Sequence, residues 1–232
     1  MKKLRLDQRV KTVVLNDDSR LFVVGDLHGH YNELMRILME LSFNFKKDLL
    51  VILGDFIDRG PYSKECSTLP LESWVEAVLG NHEESCIRGF KDPNLAIYHK
   101  QPENGGAWFY KLNEPEQQQV VSLFKDLPIL LEVQANNKVF GFVHADVPVE
   151  DWELLKELVV NNDLAPDDES YAHKCVWKNS IFKKTGVFIA FVDQVFIGHT
   201  FVVEPRFSGN CAFLETGVSM KNGKLTVWEV QI

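Results

Sequence analysis

The sequence predicts an α/β fold, a single domain built on a largely parallel sheet, from three observations. Three times in succession an apolar run breaks into a polar turn: 21–24 into Gly25-Asp26-Leu27-His28-Gly29, 48–54 into Asp55, Asp58 and Arg59, and 74–79 into Gly80-Asn81-His82-Glu83. The central run, Leu49-Leu50-Val51-Ile52-Leu53, is apolar throughout rather than alternating, as a strand covered on both faces is. The 232 residues, 45% of them hydrophobic, suffice for one sizeable core. Right-handed crossovers between such units put all three polar turns on one sheet edge, where open α/β proteins bind ligands.

In chain order, the first run is followed by Leu34, Ile37, Leu38 and Leu41 at helical spacing, with Asn32 as the expected N-cap. A short helix over 63–68 follows the second, stopped by Pro70. From 84 to 127 the pattern is helical, broken at Gly105-Gly106 and restarting with Pro115 just inside a new helix, and this segment is expected to cap the sheet edge. Strands are expected over 129–133 and 138–143, joined by a hairpin at Gln134-Ala135-Asn136-Asn137, the second delivering His144 and Asp146. A helix over 151–160, an acidic surface loop over 161–170, and a helical stretch near 171–184 precede a strand at 194–197 that ends in Gly198-His199-Thr200. The tail at 224–232 alternates imperfectly after an Asn222-Gly223 turn, so the C-terminal third is expected to be mostly antiparallel.

Composition narrows the function. A net charge of −8 argues against a nucleic-acid partner, because phosphate backbones are bound through clustered Lys and Arg. Cys66, Cys86, Cys175 and Cys211 have no CxxC spacing and suggest thiols in a reducing compartment. The basic N-terminus lacks an apolar segment before Asp7, and no run of about 18 apolar residues occurs, so a cytoplasmic protein with no membrane partner is expected.

Singly, each polar turn has an ordinary reading as a turn or a hydrogen-bonded histidine. Together, Asp26-x-His28, Gly54-Asp55-x-x-Asp58-Arg59-Gly60, Gly80-Asn81-His82-Glu83, Val143-His144-Ala145 and Gly198-His199-Thr200 each follow a candidate strand. In that order they resemble the metallophosphoesterase superfamily, and within it the PPP-type serine/threonine protein phosphatases, nearest the bacterial and bacteriophage lambda-type enzymes. Supporting segments are Lys46-Lys47-Asp48-Leu49-Leu50, Asn104-Gly105-Gly106-Ala107-Trp108-Phe109 and His144-Ala145-Asp146. The resemblance implies a calcineurin-like fold, a β-sandwich of two mixed sheets flanked by helices. It also implies two divalent metal ions: Asp26 and His28 on the first, Asn81, His144 and His199 on the second, and Asp55 bridging.

Carboxylates, imidazoles and an amide oxygen suit borderline ions such as Mn²⁺, Fe²⁺ or Zn²⁺. Two ions about 3.5–4 Å apart clamp both ends of an in-line displacement, and a bound water becomes a hydroxide nucleophile at neutral pH. A phosphoserine alkoxide leaves only with a proton. By the family pattern His82 is the general acid, oriented by Asp58, and Arg59 holds phosphoryl oxygens together with Asn81 and His82. Lambda-type enzymes carry a second phosphate-binding Arg after a Trp; here Asn179 stands near that position, and Lys178, beside Trp177, is a candidate replacement or a solvated lysine. The implied partners are phosphoserine or phosphothreonine proteins and peptides, with phosphotyrosine an option.

Diadenosine tetraphosphate hydrolases share most of these motifs but typically lack the second Asp of the Asp-Arg-Gly turn and carry Asp after Asn-His, so Asp58 and Glu83 favour the protein phosphatase. Phosphodiesterases with Gly-His-x-His would need His where Phe201 stands. A non-catalytic scaffold would lose ligands, and here the full set is kept.

Overall fold

The structure, a computed structural model, describes residues 8–161 and 170–232. Strands β2 (Leu21–Val24), β3 (Leu49–Ile52) and β4 (Val75–Ala77) pair in parallel, linked by helices α1 (Tyr31–Glu40) and α2 (Ser63–Cys66). The C-terminal strand β10 (Val227–Val230) adds antiparallel to β2, so this sheet has the order β10-β2-β3-β4. The second sheet contains β1 (Val10–Val14), β5 (Leu130–Ala135), β6 (Lys138–Val143), β7 (Gln194–Ile197), β8 (Arg206–Ser208) and β9 (Cys211–Phe213), in the order β1-β5-β6-β7-β9-β8.

The two sheets stack, and period-two alternation explains why their strands are apolar throughout. Leu21 and Val23 of β2, Leu49 and Val51 of β3, Leu131 and Val133 of β5, Phe140 and Phe142 of β6 and Phe196 of β7 share one core cluster between the sheets. Phe142 and Phe196 stack there at 5.3 Å. The alternate residues, Phe22, Val24, Leu50, Ile52, Leu130, Val143 and Ile197, belong to the outer core with helix residues. These include Leu34 and Leu38 of α1 and the buried Trp152 and Leu155 of α6 (Trp152–Val160). The result is a sandwich of two mixed sheets flanked by helices, the architecture that the resemblance implies.

Several boundaries differ from the sequence expectation. Helix α1 starts at Tyr31 with His30, not Asn32, at its cap, because the His30 ring is held by the carbonyls of Leu27 and His28. Pro70 lies inside a 3₁₀ turn, Leu69–Leu71, after α2 has already ended. The helical segment expected from 84 begins earlier, at Asn81, as α3 (Asn81–Lys91), and continues as α4 (Pro93–His99), a 3₁₀ turn (Gly106–Lys111) and α5 (Glu114–Lys125). The 171–184 stretch is α7 (Tyr171–Trp177) followed by a 3₁₀ turn, and of the acidic loop residues 162–169 lie outside the described ones. The hairpin expected over 134–137 is tighter than that: β5 continues through Ala135, and only Asn136 and Asn137, at φ 48° and 62°, form the turn.

The larger correction concerns the C-terminal third. Strands β6, β7 and β9 are parallel, because helical crossovers rather than a hairpin join β6 to β7, and the antiparallel pairings of this third are those of β8 with β9 and of β10 with β2. The Asn222-Gly223 turn closes a single bridge between Gly217 and Lys224, and β10 then crosses to the other sheet. Parallel pairing is what brings the ends of β6 and β7, and hence His144 and His199, out on the same edge. Antiparallel neighbours would have sent them to opposite edges.

Register in the β2–β3 pair is pinned at its start by Asp48, which accepts from Arg20 N at 3.1 Å, Arg20 Nη2 at 2.6 Å and Asn44 N at 2.8 Å. Burial alone would raise this carboxyl's pKa, but the bonds from Arg20 and Asn44 outweigh it and hold the pKa below the ordinary carboxylate value. Its stabilisation is therefore present above the unfolded pKa near 3.9 and lost as pH falls through the folded one. Asp48→Asn is expected to cost about 2 kcal/mol at pH 7 in urea unfolding, with the gap to wild type narrowing below about pH 4. A gap independent of pH would contradict the ionic role.

Candidate metal centre

Six strands deliver a polar residue to one rim of the sandwich: β2 to Asp26 and His28, β3 to Asp55, β4 to Asn81, β6 to His144, β7 to His199 and β9 to Glu215. Asp55 sits at the middle. Its Oδ1 lies 3.5 Å from His144 Nε2, and its Oδ2 lies 3.9 Å from His82 Nε2. It belongs to two ligand triads, His28–Asp55–His82 and Asp55–His144–His199, within each of which the ligand atoms lie no more than 4.8 Å apart. Asn81 Oδ1 joins the second, 2.8 Å from His144 Nε2 and 2.9 Å from His199 Nδ1.

Tautomers show what this arrangement wants. His144 Nδ1 lies 2.7 Å from the Leu53 carbonyl, which can only accept, so that nitrogen carries the proton and Nε2 presents a bare lone pair. His28 Nδ1 likewise faces a carbonyl, that of Ile57 at 3.1 Å, which leaves its Nε2 as the acceptor and here places it against the Arg59 guanidinium. Burial lowers the pKa of His144, and burial followed by the neighbouring His82 takes His28 down to about 3, so both rings are neutral at pH 7. The bare His144 Nε2, the Asn81 amide oxygen and the buried Asp55 carboxylate are aimed at one another and repel unless a cation lies among them. The donor set therefore fits divalent metal ions.

Asp26 is placed at the rim but outside both triads: its Oδ1 accepts the His199 N–H at 2.9 Å. Burial, then the charges of Glu215 and Asp55, push its pKa well above the usual carboxylate range. Glu215, also buried, is raised to about 7, chiefly by burial. Sequence reasoning missed Glu215, although Leu214-Glu215-Thr216-Gly217 after the apolar β9 repeats the signal of the other turns.

Glu83 shapes the centre without facing it. Fully buried at the third position of α3, it accepts from Gly80 N at 3.1 Å, Asp55 N at 2.9 Å, Phe56 N at 3.0 Å and Ile57 N at 3.3 Å. One carboxylate thus caps α3 and holds the loop after β3 against it. The loop also needs that hold: Asp55, Asp58 and Arg59 have φ of 46°, 71° and 64°, the left-handed region that costs a non-glycine residue about 1–3 kcal/mol where it is strained. His82, the residue before Glu83 in α3, donates its N–H to Asp55 Oδ1 at 2.9 Å.

Asp58 is not paired with Arg59. Its Oδ2 is 2.8 Å from both His82 Nδ1 and His99 Nε2, and its Oδ1 accepts from Trp108 Nε1 at 2.7 Å. His99, on α4, carried no sequence signal. Burial would lower the His82 pKa, yet the charge of Asp55 and the bond to Asp58 outweigh it and raise the pKa above its ordinary value. Arg59 donates through Nε to the Glu103 carbonyl at 3.2 Å and through Nη1 to His28 Nε2 at 2.5 Å, so its guanidinium lies on the first triad. Lys178 is not brought to this rim: it is exposed at the end of α7, lining a separate cleft with Asp146, Lys174, Ser180 and Lys183.

The calcineurin-like phosphoesterase family profile matches residues 19–202. The chain is 33% identical to serine/threonine-protein phosphatase 1 of Salmonella typhimurium over 98% of this chain and 100% of that one. It is 32% identical to serine/threonine-protein phosphatase 2 of Escherichia coli over 91% and 93%. Among solved structures, a candidate diadenosine tetraphosphatase superposes with a TM-score of 0.65 at 19% identity, covering 95% of this chain and 92% of that one, a likeness of fold.

Glu83→Ala is expected to weaken Mn²⁺ binding by about 10–100-fold, read by titration calorimetry with circular dichroism confirming the fold, because it frees the loop carrying Asp55. Undiminished affinity would remove Glu83 from the support of the centre.

Proposed function

The chain belongs to the calcineurin-like phosphoesterase family, a family of phosphoesterase hydrolases, and we propose that it removes phosphate from phosphoserine and phosphothreonine in proteins. The observation that carries this reading is the Asp58–His82 pair at 2.8 Å, with the other ring nitrogen of His82 turned toward Asp55 at the rim. A serine or threonine alkoxide is a poor leaving group, and a raised-pKa imidazole held by a carboxylate is the proton donor it needs. Two divalent ions would be held by Asp26, His28, Asp55, Asn81, His144 and His199; when bound, such ions polarise phosphoryl oxygens and lower the pKa of water.

The chain's own residues supply the remainder. Arg59, held through its Nε, offers fixed donors to phosphoryl oxygens beside His28. His82 gives the proton at Nε2 to the departing oxygen while Nδ1–H stays on Asp58. Asn81, first residue of α3, adds its amide, so the positive end of the helix points at the arriving phosphate. Lys178 is offered as an outlying anion contact for groups flanking the phosphate. The four cysteines are buried, and burial raises their thiol pKa values, Cys211 to about 11, which fits direct attack by water rather than a cysteinyl phosphate.

The test is a panel of phosphoserine, phosphothreonine and phosphotyrosine peptides, diadenosine tetraphosphate and a phosphodiester, each with Mn²⁺ and with chelator. Phosphoserine and phosphothreonine peptides should be turned over fastest, and chelator should abolish turnover; diadenosine tetraphosphate ranked first would overturn the protein-phosphatase assignment. Asp55→Asn should abolish activity in a folded chain. His82→Asn should slow phosphoserine peptides by about 10²–10⁴-fold, and an aryl phosphate with an acidic leaving group far less. Equal losses on both substrates would remove His82 as the acid.

A further inference from the structure

Asp58 is held by more than the histidine it orients. Two donors reach it from the α4–3₁₀ segment that lies over the turn: His99 Nε2 on Oδ2 and Trp108 Nε1 on Oδ1. With His82 Nδ1 also on Oδ2, both carboxylate oxygens are occupied, and rotation of the carboxylate would break at least one of these bonds. The chain of donors extends one step further. Because Asp58 only accepts, His99 carries its proton on Nε2, and His99 Nδ1 accepts from the Tyr110 hydroxyl at 3.1 Å.

The overlying segment is fitted to this contact. Gly105, at φ 79°, lets the backbone pass so close that a Cβ there would stand 2.1 Å from the Arg59 nitrogen. A Cβ on Gly106 would stand 2.2 Å from His99 Nε2. The Glu103 carbonyl takes the Arg59 Nε–H from the same segment. Gly105 thus lets the segment lie against the left-handed Asp58-Arg59 turn, and Gly106 leaves room for the His99 ring that reaches Asp58.

We propose that His99 and Trp108 are positioning residues for proton donation, fixing Asp58 so that His82 keeps its Nδ1–H on the carboxylate and presents Nε2 to the leaving oxygen. This rests on the phosphomonoesterase reading above. Neither residue touches substrate; both act through Asp58. Their removal lets the carboxylate swing, and the cost falls on substrates whose leaving group needs the proton.

The experiment compares a phosphoserine peptide with p-nitrophenyl phosphate in Mn²⁺-loaded wild type, Trp108→Phe, His99→Asn and His99→Gln, with melting temperatures for each. Trp108→Phe keeps an aromatic ring, a smaller one, and deletes the donor. It should lower kcat on the peptide about tenfold, leave kcat on the aryl phosphate within about twofold, and leave both KM values nearly unchanged. His99→Asn should show the same split, and His99→Gln, whose longer amide can reach Asp58, should recover part of it. A role confined to folding would lower both substrates together, so equal loss on both, or no loss on the peptide with Trp108→Phe, overturns the proposal. Trp108→Phe decides the matter even where a His99 variant fails to fold. If wild type itself turns over neither substrate, the phosphomonoesterase reading has failed and this one falls with it; a failure confined to the variants leaves that reading intact.

Discussion

Four backbone N–H groups converge on the buried carboxylate of Glu83, one from the start of α3 and three from the loop after β3. That convergence fixes where the central carboxylate of the site can be. Asp55, Asp58 and Arg59 all occupy the left-handed region of backbone space, which an unsupported loop would leave. The same loop is anchored below by Phe56, whose ring meets Phe124 of α5 edge-on at 5.6 Å. Rigid placement here lets one residue, Asp55, face two sets of imidazoles at once.

Electrostatics and packing pull in opposite directions at the rim. Three acidic groups, Asp26, Asp55 and Glu215, are nearly excluded from water and crowd one another, and His28 and His144 beside them are held neutral by burial. A hydrophobic sandwich gains nothing from such a cluster. The donor set is the kind that a divalent cation would complete, which matches the family's chemistry and the placing of the His144 lone pair against Asn81 Oδ1.

Part of this was legible in the sequence because the informative residues follow strands. An unbroken apolar run marks a strand buried on both faces, and a polar turn at its end marks the rim, so the turns bearing Asp26, His28, Asp55, Asn81, His144 and His199 stood out, while the role of each came from the family resemblance that their order carries. Strand direction in the C-terminal third was not legible: short runs such as Cys211–Phe213 carry no information about their partners, which are set by crossovers through α6 and α7. The three-residue β8 and the solvent-facing β1 were hidden for the same reason, too few apolar positions to show a period. Residues that act at one remove were the least visible. His99 sits in a helix among ordinary helix formers, and only the fold reveals that it lies against Asp58.

The contact between Gly105 and the Asp58-Arg59 turn also limits how this scaffold could be re-engineered. Segment 92–111 cannot be exchanged as a free module: a graft would have to arrive with no side chain where Gly105 meets Arg59 and with a donor for each oxygen of Asp58. Diversity is tolerated instead on its outward surface, at Ile97, Tyr98 and Ala107, which are solvent-exposed. A library confined to those positions would vary what a docking protein meets while leaving the proton-donating pair beneath undisturbed.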